Sequence, residues 1–473
     1  MMDRIKFRTS IVLSLGICWL LINCSPKLNN VDPPIDEPES FTATGDTLIE
    51  DQWWESFNDR KLNSLIDTAL SNNFNLKVAW QRVQAAEAQR KQQSTFLLPS
   101  LQLGAQTAAS RPEPDFAGGE NTQIGGSVNY EVDLWGRIKA ATEAEEFNLK
   151  ATYQDYQAAA LSLSAQIART YLQYVLTDQQ LELADQQLAT NKKIIQLIRV
   201  RFGNGQIKGV DILRQKQSLE NTKDLKIIYQ TNKQVLANQL AVLVGRSPQS
   251  FQIDDEVDVP EWPASPSTGL PLELVRRRPD LQAAYNRLLS ADREKAVAVR
   301  NKFPRLSFNL LSQARSNEYA NVFKNWAYTL GANISAPLLN WGRLRAEVDR
   351  TEAVKQQQLY NYGQAVLTAF QEVEDAYVQE KNLLKRLKIL KKRSGMAKKT
   401  FKQLRVEFFN GMTDYIDVLI AFNEQQQLAR DVITIKQDLF TNRVDLYIAL
   451  AGSFTTDREE VDDLPQVQSK NEP

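Results

Sequence analysis

Titratable and nucleophilic side chains set the first limits on what this chain could catalyse. Its 473 residues include no histidine and only two cysteines, Cys18 and Cys24. Histidine-based proton transfer and imidazole metal sites are therefore excluded. A disulfide framework, a zinc cluster or a thiol nucleophile deep in the chain is excluded as well. This composition argues against most classes of enzyme.

Carboxylates lie close together at Glu372, Glu374 and Asp375, within a long stretch of helical pattern. Paired carboxylates carry out glycoside hydrolysis only where they flank a bound substrate, and a coiled-coil helix offers no such pocket. No glycine-rich phosphate loop follows a strand pattern. We therefore expect no bond chemistry and no metal or organic cofactor.

A run of basic residues occupies positions 385–405, with ten lysines or arginines and no acidic residue. Nucleic-acid sites combine such runs with stacking aromatic residues on a basic domain, but the whole chain has 57 basic and 57 acidic residues. We expect no nucleic-acid partner. The run is typical of a solvated helix face, and an acidic surface on a partner protein is the alternative.

The first residues have the features of a secretory signal. Three basic residues up to Arg8 precede the apolar run 11–22, which is too short for a membrane-spanning helix of ~20 residues. Residues 21–25 read Leu-Ile-Asn-Cys-Ser and resemble a bacterial lipobox, in which residues 1–23 are removed and lipid, including palmitate, is attached to Cys24. Asn23 departs from the small residue usual there, and an ordinary signal peptide is the alternative.

Downstream of this run no stretch of about 18 apolar residues occurs, so we expect no membrane-spanning helix in the mature chain. Any crossing of a bilayer would then be made by strands. Residues 24–50 are rich in proline, which predicts an extended, lipidated linker. Residues 454–473 are acidic and polar, which predicts a disordered tail.

Self-similarity determines the fold prediction. The sequence Leu134–Ala140 recurs at Asn340–Ala346, 206 residues later, and the same offset relates Arg199–Gly205 to Arg405–Gly411. Agreement over such a span predicts a tandem repeat. We place the first copy at 51–246, the second at 270–453 and a linker at 247–269.

Each copy shows the same order of patterns. A helical stretch ends near Pro99 or Pro304, because proline disfavours helix at the preceding residue. Alternation of apolar and polar residues then predicts two strands, as in Leu101 and Leu103 and again from Tyr328 onward. Segments of about ten such residues suit the tilted strands of a membrane β-barrel, and a soluble hairpin packed on a helix is the alternative.

Long helices follow the strands. Residues 138–202 contain no proline or glycine, and residues 344–408 contain only two glycines, so each can form a helix of about 65 residues, ~97 Å long. Apolar residues recur at coiled-coil spacing. Each helix ends at a turn containing Gly205 or Gly411, where glycine permits a positive φ. The prediction is a mainly α fold with a small β part and two long antiparallel helical hairpins.

Four strands cannot close a membrane barrel, because bacterial barrels need at least about eight. Open strand edges would leave backbone groups without partners in lipid. A chain of this kind must therefore oligomerise to span a membrane, and two copies would supply eight strands and three copies twelve.

Several motifs together resemble the TolC-like outer-membrane efflux proteins, in the lipoprotein branch that serves resistance-nodulation-division (RND) multidrug pumps. They are Trp53–Asp59, Glu131–Arg137, Leu270–Pro271 with Arg278–Asp280, and Ala336–Leu339. The resemblance implies a homotrimer with a 12-stranded transmembrane β-barrel, four strands per protomer. An α-barrel of long antiparallel coiled-coil helices would continue it through the periplasm.

The resemblance also implies the location, the partners and the function. The protein would span the cell outer membrane, with its lipid on Cys24, and extend into the periplasm. The tips of the helical hairpins, at Gly205 and Gly411, would meet a periplasmic adaptor protein and an inner-membrane RND transporter. The implied function is a channel for small toxic compounds or drugs, without catalysis.

In this family acidic residues near the hairpin turns line a constriction at the periplasmic end. The matching positions are Asp414 and Asp417, with Asp211 in the first copy. A ring of acids selects cations and is self-repelling. Asp211 and Asp417 occupy the same position in both copies, which favours helix capping for them instead. Asp414 has Lys208 as its counterpart and is the better gate candidate.

Two other functions remain open. The same fold could form a duct for protein secretion by an ATP-binding cassette (ABC) transporter, although the lipobox and Arg278–Asp280 favour the pump branch. The chain could instead be an elongated coiled-coil lipoprotein that braces the envelope without conducting. The predicted strands argue against the brace, which would not need them.

Overall fold

The computed structural model describes six stretches of the chain, residues 40–42, 52–109, 120–253, 258–269, 271–316 and 319–456. The predicted lipidation site Cys24, the predicted signal peptide and nearly all of the predicted linker at 24–50 lie outside the described residues. Most of the predicted tail does so too. These assignments stay predictions.

The first repeat contains two shorter helices, two strands and two long helices. In chain order they are α1 (Arg60–Asn72), α2 (Phe74–Ser94), β1 (Ser100–Ala109), β2 (Glu120–Val132), α3 (Arg137–Gly203) and α4 (Gly209–Leu243). Helix α2 ends at Ser94 and is followed by a 3₁₀ turn, Thr95–Leu97. Leu98 is then extended, with φ −110° and ψ 153°, as the position before a proline favours.

The second repeat contains the same kinds of element in the same order. They are α5 (Pro271–Arg277), α6 (Pro279–Arg300), β3 (Arg305–Ser316), β4 (Trp326–Ser335), α7 (Arg343–Phe409) and α8 (Tyr415–Leu450). Helices α3 and α7 each have 67 residues, about 100 Å. Both extend one residue beyond each end of the predicted helices. The tandem repeat and the mainly α fold with a small sheet are therefore confirmed.

The four described strands form one antiparallel sheet in the order β1-β2-β3-β4. Pairing of β2 with β3 joins the two repeats, and the register places Val128 opposite Leu310. Strands β1 and β4 are the edges of the sheet within this protomer. The sheet therefore carries one unpaired strand edge from each repeat.

The long helices pack as two hairpins side by side. Helix α3 contacts α4 within the first hairpin, α7 contacts α8 within the second, and α3 with α8 joins the two hairpins. Helix α6 packs between α3 and α7 nearer the sheet. Helices α4 and α7 are consequently the outer members of the layer that ends at the two turns.

An aromatic cluster fixes the segment that precedes α1. Trp53 and Trp54 are each 1% exposed; the Trp53 ring stacks on Tyr447 with centroids 5.6 Å apart. The Trp53 indole N–H donates to the Ser164 hydroxyl at 3.3 Å. Burial of large aromatic side chains contributes roughly 2–3 kcal/mol each, so the Trp-Trp motif anchors this segment between α3 and α8.

A buried ion pair holds the linker between the repeats. Both guanidinium nitrogens Nε and Nη2 of Arg443 donate to the Glu380 carboxylate at 2.8 Å. Arg443 also donates to the carbonyl of Pro263 at 2.9 Å, and its guanidinium carbon lies 4.5 Å from the Trp262 ring centroid. The later described part of the linker, 258–269, is thereby packed against α7 and α8.

Within the described stretches, every helix is too polar or too short to cross a membrane.

Candidate functional site

The two hairpins end in turns of the same geometry. Gly205 and Gly411 have φ of +68° and +74°, and a Cβ at either position would meet no atom within 4 Å. In the first turn Gln206 N–H donates to the Arg201 carbonyl at 2.9 Å, and in the second Met412 N–H donates to Glu407 at 2.9 Å. These are the bonds of a Schellman motif. Glycine is therefore required at both positions because φ is positive, and not because a side chain would lack space.

Asp211 lies at the start of α4, directly after the first turn, and is buried. Its carboxylate accepts the backbone N–H of Lys208 at 3.3 Å, which is the bond made by an acidic residue at the third helical position. Its other oxygen lies 3.5 Å from Nη1 of Arg214. Asp211 therefore stabilises the first turn of α4, and the Arg214 guanidinium lies beside its charge.

The equivalent acidic residues of the second turn differ in their contacts. Asp417 accepts a hydrogen bond from the Thr413 hydroxyl at 2.9 Å. Asp414 occupies the N-cap position of α8, but its side chain makes no capping hydrogen bond. It is exposed. Asp417 is exposed too, so of the three candidates Asp414 differs in being exposed without a capping hydrogen bond.

A cleft of about 650 Å³ separates the two tips, and it brings Asp211 and Asp414 to one surface with the cations Arg201, Lys208 and Arg214. Asp417 is not among its lining residues. Because acids and cations share the cleft in one protomer, the tip is electrostatically mixed. A purely acidic surface is not formed within a single chain.

A buried polar network, which the sequence patterns did not reveal, joins the hairpins just above this cleft. The Tyr415 hydroxyl donates to Gln215 Oε1 at 2.6 Å, and Gln215 Nε2 donates to Asn191 Oδ1 at 2.6 Å. Asn191 Nδ2 in turn donates to the Thr222 hydroxyl at 3.2 Å. Burial, together with the nearby Asp211 charge, raises the pKa of Tyr415 above its ordinary value, so this phenol is a neutral donor at physiological pH.

Arg201 makes a second connection between the tips. Its guanidinium carbon lies 4.9 Å from the Phe409 ring centroid and 5.1 Å from that of Phe408. Its Nη2 donates to the Phe409 carbonyl at 3.1 Å. One cation of the first hairpin thus binds both the aromatic faces and a free carbonyl at the end of α7.

At the other end of the molecule the sheet has two chemically different faces. One row of paired residues crosses all four strands and is wholly apolar: Leu101, Val128, Leu310 and Leu330. The alternate row beside it contains Ser100, Asn129, Asn309 and Gly331. On that polar face the Gln123 side chain donates to Gln313.

The apolar face extends over most of the sheet. Five successive rows, from the pair Leu306–Ile334 to the pair Ala314–Trp326, lie on this face. Rows two residues apart are separated by about 6.7 Å, so these rows cover about 27 Å along the strands, or roughly 20 Å of height at a tilt of about 40°, which fits within the ~25 Å apolar band of membrane strands. Trp326 and Tyr328 lie at one end of it, 44% and 74% exposed. They do not belong to a core of this protomer.

Comparison with known proteins shows which family has this combination of a four-stranded sheet and two long helical hairpins. The family model described as "Outer membrane efflux protein" matches the chain twice, over residues 65–246 and 270–452. The chain is 29% identical to the pyoverdine export outer membrane protein OpmQ of Pseudomonas aeruginosa, over 94% of this chain and 97% of that protein. It is 27% identical to the outer membrane protein OprJ of the same species, over 95% and 96% of the two chains.

Solved structures give the same result. The outer-membrane channel OprN superposes with a TM-score of 0.83 at 26% identity, over 92% of this chain and 99% of that one. The similarity covers nearly the whole of both chains, so it extends over the sheet, the long helices and the turns. The family predicted from the sequence motifs is confirmed.

Proposed function

This chain belongs to the outer membrane efflux protein family, and we propose that it is the outer-membrane channel of a tripartite efflux system. As a member of that family it is an outer-membrane protein. In the proposed system it conducts small toxic compounds or drugs from the periplasm to the exterior. An inner-membrane RND transporter supplies the energy, and a periplasmic adaptor protein joins the transporter to the channel.

The single observation that carries the proposal is the two-faced sheet. A mostly apolar face about 27 Å long along the strands suits contact with lipid acyl chains, and the polar face with its glutamines and asparagines suits water. Four strands with open edges at β1 and β4 cannot stand alone in a bilayer. Three copies, each pairing its β1 edge with the β4 edge of a neighbour, would form the proposed 12-stranded barrel around an aqueous lumen.

The helical layer supports the same assembly. Its outer helices carry apolar side chains that this protomer leaves exposed, including Ile227 and Val235 on α4 and Val378 and Ile389 on α7. Exposed apolar surface on opposite edges of a layer suits head-to-tail contacts that close into a ring. We infer that α4 of one copy packs against α7 of the next in a trimeric α-barrel.

The turns at Gly205 and Gly411 are the end of the molecule farthest from the sheet along the long helices. We propose that they meet the adaptor and that Asp414, repeated three times around the axis, forms the acidic constriction of the channel. Asp211 and Asp417 would instead stabilise the first turns of α4 and α8. Covalent lipid on Cys24 would anchor each protomer to the outer membrane, and the protein would act without catalysis and without a cofactor.

Deletion of the gene in its own host tests this function. We expect cells lacking the chain to retain a fluorescent dye and to become sensitive to toxic compounds, while protein secretion is unchanged. Loss of a secreted protein with normal dye efflux would instead favour the ABC-dependent duct. Normal dye efflux together with a weakened envelope would favour the non-conducting brace, and each of these two results would overturn the proposal.

A further inference from the structure

A groove of about 360 Å³ lies away from the tip cleft, between α3 and α7 with α8 as its floor. Three cations of the basic run line it, Lys398, Lys402 and Arg405. Their spacing of four and three residues places them along one side of α7. The basic run is therefore not wholly a solvated face, because part of it forms the wall of a concave surface.

These three cations have no acidic partner among the residues that the structure describes. The wall opposite them, on α3, presents Gln186, Gln187 and Thr190 instead of carboxylates. All three are exposed, so water and salt screen part of their mutual repulsion, and an anion among them would reduce it further. The wall thus has three positive charges and room for a counter-charge.

The floor of the groove holds a buried donor without a partner. Gln426 is 5% exposed, lines the groove, and its amide nitrogen Nε2 has no hydrogen-bond partner. A buried donor in this state costs about 1–3 kcal/mol. Gln425 lines the same groove, and its Oε1 is an acceptor without a partner. One buried unpaired donor and one buried unpaired acceptor therefore belong to residues that line the groove beside the three cations.

Aromatic side chains complete the lining. Phe401 and Phe422 both border the groove, with ring centroids 5.1 Å apart. The Arg405 guanidinium carbon lies 5.9 Å from the Phe401 ring centroid. An apolar surface directly beside cations and amides is complementary to a molecule that has a charged end and a ring.

We propose that this groove binds small organic anions that combine an anionic group, an aromatic ring and a hydrogen-bond donor. The anionic group lies among Lys398, Lys402 and Arg405 and accepts from Gln426 Nε2. The ring contacts Phe401 and Phe422, and the donor, a hydroxyl, binds Gln425 Oε1. These contacts are all with α7 and α8, and the α3 wall of the groove borders the ligand on its other side. Binding of this kind is independent of the proposed channel function.

The test uses the full-length mature protein in detergent and isothermal titration calorimetry with 4-hydroxybenzenesulfonate. Benzenesulfonate lacks the hydroxyl and inorganic sulfate lacks the ring, so both should bind at least fivefold more weakly. We expect the triple variant Lys398→Gln, Lys402→Gln and Arg405→Gln to lose at least tenfold in affinity. The single variant Gln426→Leu should lose at least threefold, and it removes the donor without changing charge.

The basic run itself supplies the matched control. Lys385, Lys388 and Lys392 lie on the same helix, are exposed and do not line the groove. Their triple replacement by Gln removes the same charge and should change the affinity less than twofold. An equal loss in both triple variants would mean general attraction to a basic helix and would overturn the proposal. Absence of binding to the unmodified protein at millimolar probe would overturn it too.

Folding of each variant is checked by circular dichroism and size-exclusion chromatography. Should the groove triple variant fail to fold, Lys402→Gln alone and Gln426→Leu carry the test. The probe should also raise the melting temperature of the unmodified protein, because a ligand that binds only the folded state stabilises it. It should do so much less for Gln426→Leu, and an equal rise in both proteins would contradict the assigned donor.

Discussion

The Tyr415 hydroxyl donates to Gln215 Oε1 at 2.6 Å, across the boundary between the two helical hairpins. Tyr415 begins α8 in the second repeat, whereas Gln215 lies in the second turn of α4 in the first. The bond therefore joins equivalent parts of two copies of one motif. Any movement that separates the hairpins at their tips must break it and leave Gln215, which is fully buried, without its partner.

Tyr415→Phe should loosen the tips. Loss of the hydroxyl leaves a buried acceptor unsatisfied, which costs about 1–3 kcal/mol, and it removes a link that holds the hairpins together. We expect a lower free energy of unfolding and a larger single-channel conductance in planar bilayers. Tyr360→Phe, at an exposed tyrosine of α7, is the control and should change neither quantity. An unchanged conductance in Tyr415→Phe would contradict the role assigned to this bond.

The same tyrosine predicts a pH dependence. Burial and the Asp211 charge raise the pKa of Tyr415 in the folded state, so the phenol binds its proton more tightly when folded than when unfolded. Its stabilising contribution is complete below the ordinary tyrosine pKa of about 10 and is lost as pH rises through the higher folded value.

Melting temperatures measured between about pH 9.5 and pH 11.5 test this dependence. Burial also raises the pKa of Tyr171, beside Asp59, and of Tyr229, so the unmodified protein should lose stability over this range through all three tyrosines. Tyr415→Phe should lose it less steeply, since only Tyr171 and Tyr229 of these three tyrosines then contribute. Parallel curves for the two proteins would show that Tyr415 makes no alkaline contribution.

Gly411→Ala and Gly205→Ala should each destabilise the protein. Alanine in the left-handed region costs about 1–2 kcal/mol, and both glycines have positive φ. Gly395→Ala is the matched control, because Gly395 lies inside α7 with no atom near its missing Cβ. There alanine should stabilise by about 0.5–1 kcal/mol. Chemical denaturation measures the free energy of unfolding of each variant. If Gly395→Ala were destabilised like the two turn variants, positive φ would not explain their loss of stability.

Asp414→Ala should change conduction without changing stability. Its side chain makes no capping bond, so the free energy of unfolding should shift by less than about 0.5 kcal/mol. Removal of three negative charges from the proposed constriction should lower cation selectivity, measured as the reversal potential across a salt gradient.

Asp211→Ala provides the contrast to this variant. It loses the bond from the Lys208 N–H and should cost about 0.5–2 kcal/mol. The gate assignment fails if Asp414→Ala leaves the reversal potential unchanged.

Much of the fold followed from the sequence because its strongest signals are long or repeated. Helices α3 and α7 were predicted to within a residue at each end, since proline and glycine are rare over 65 residues and the flanking motifs occur twice. Strand β4 begins at Trp326, two residues before the alternation used to predict it, because edge residues pair wherever the neighbouring strand continues. Trp326 pairs with Ala314 of β3, and this pairing extends β4 to Trp326.

The tip network could not be predicted in the same way. Spacing of apolar residues indicates which face of a helix is buried, but it does not indicate which polar residues on two helices will pair. Asn191 and Gln215 are polar residues inside a coiled-coil seam, and this exception to the apolar pattern was the available signal. Their pairing with Tyr415 depends on contact between repeats, which the order of residues along the chain does not specify.

The most direct test of the central claim, a trimeric channel, is negative-stain electron microscopy of the detergent-solubilised mature protein. About 100 Å of helix and about ten strand residues at ~3.3 Å each predict a hollow tube at least ~130 Å long with three-fold symmetry. Monomeric or two-fold rods without a lumen would contradict the trimeric channel and favour an envelope brace.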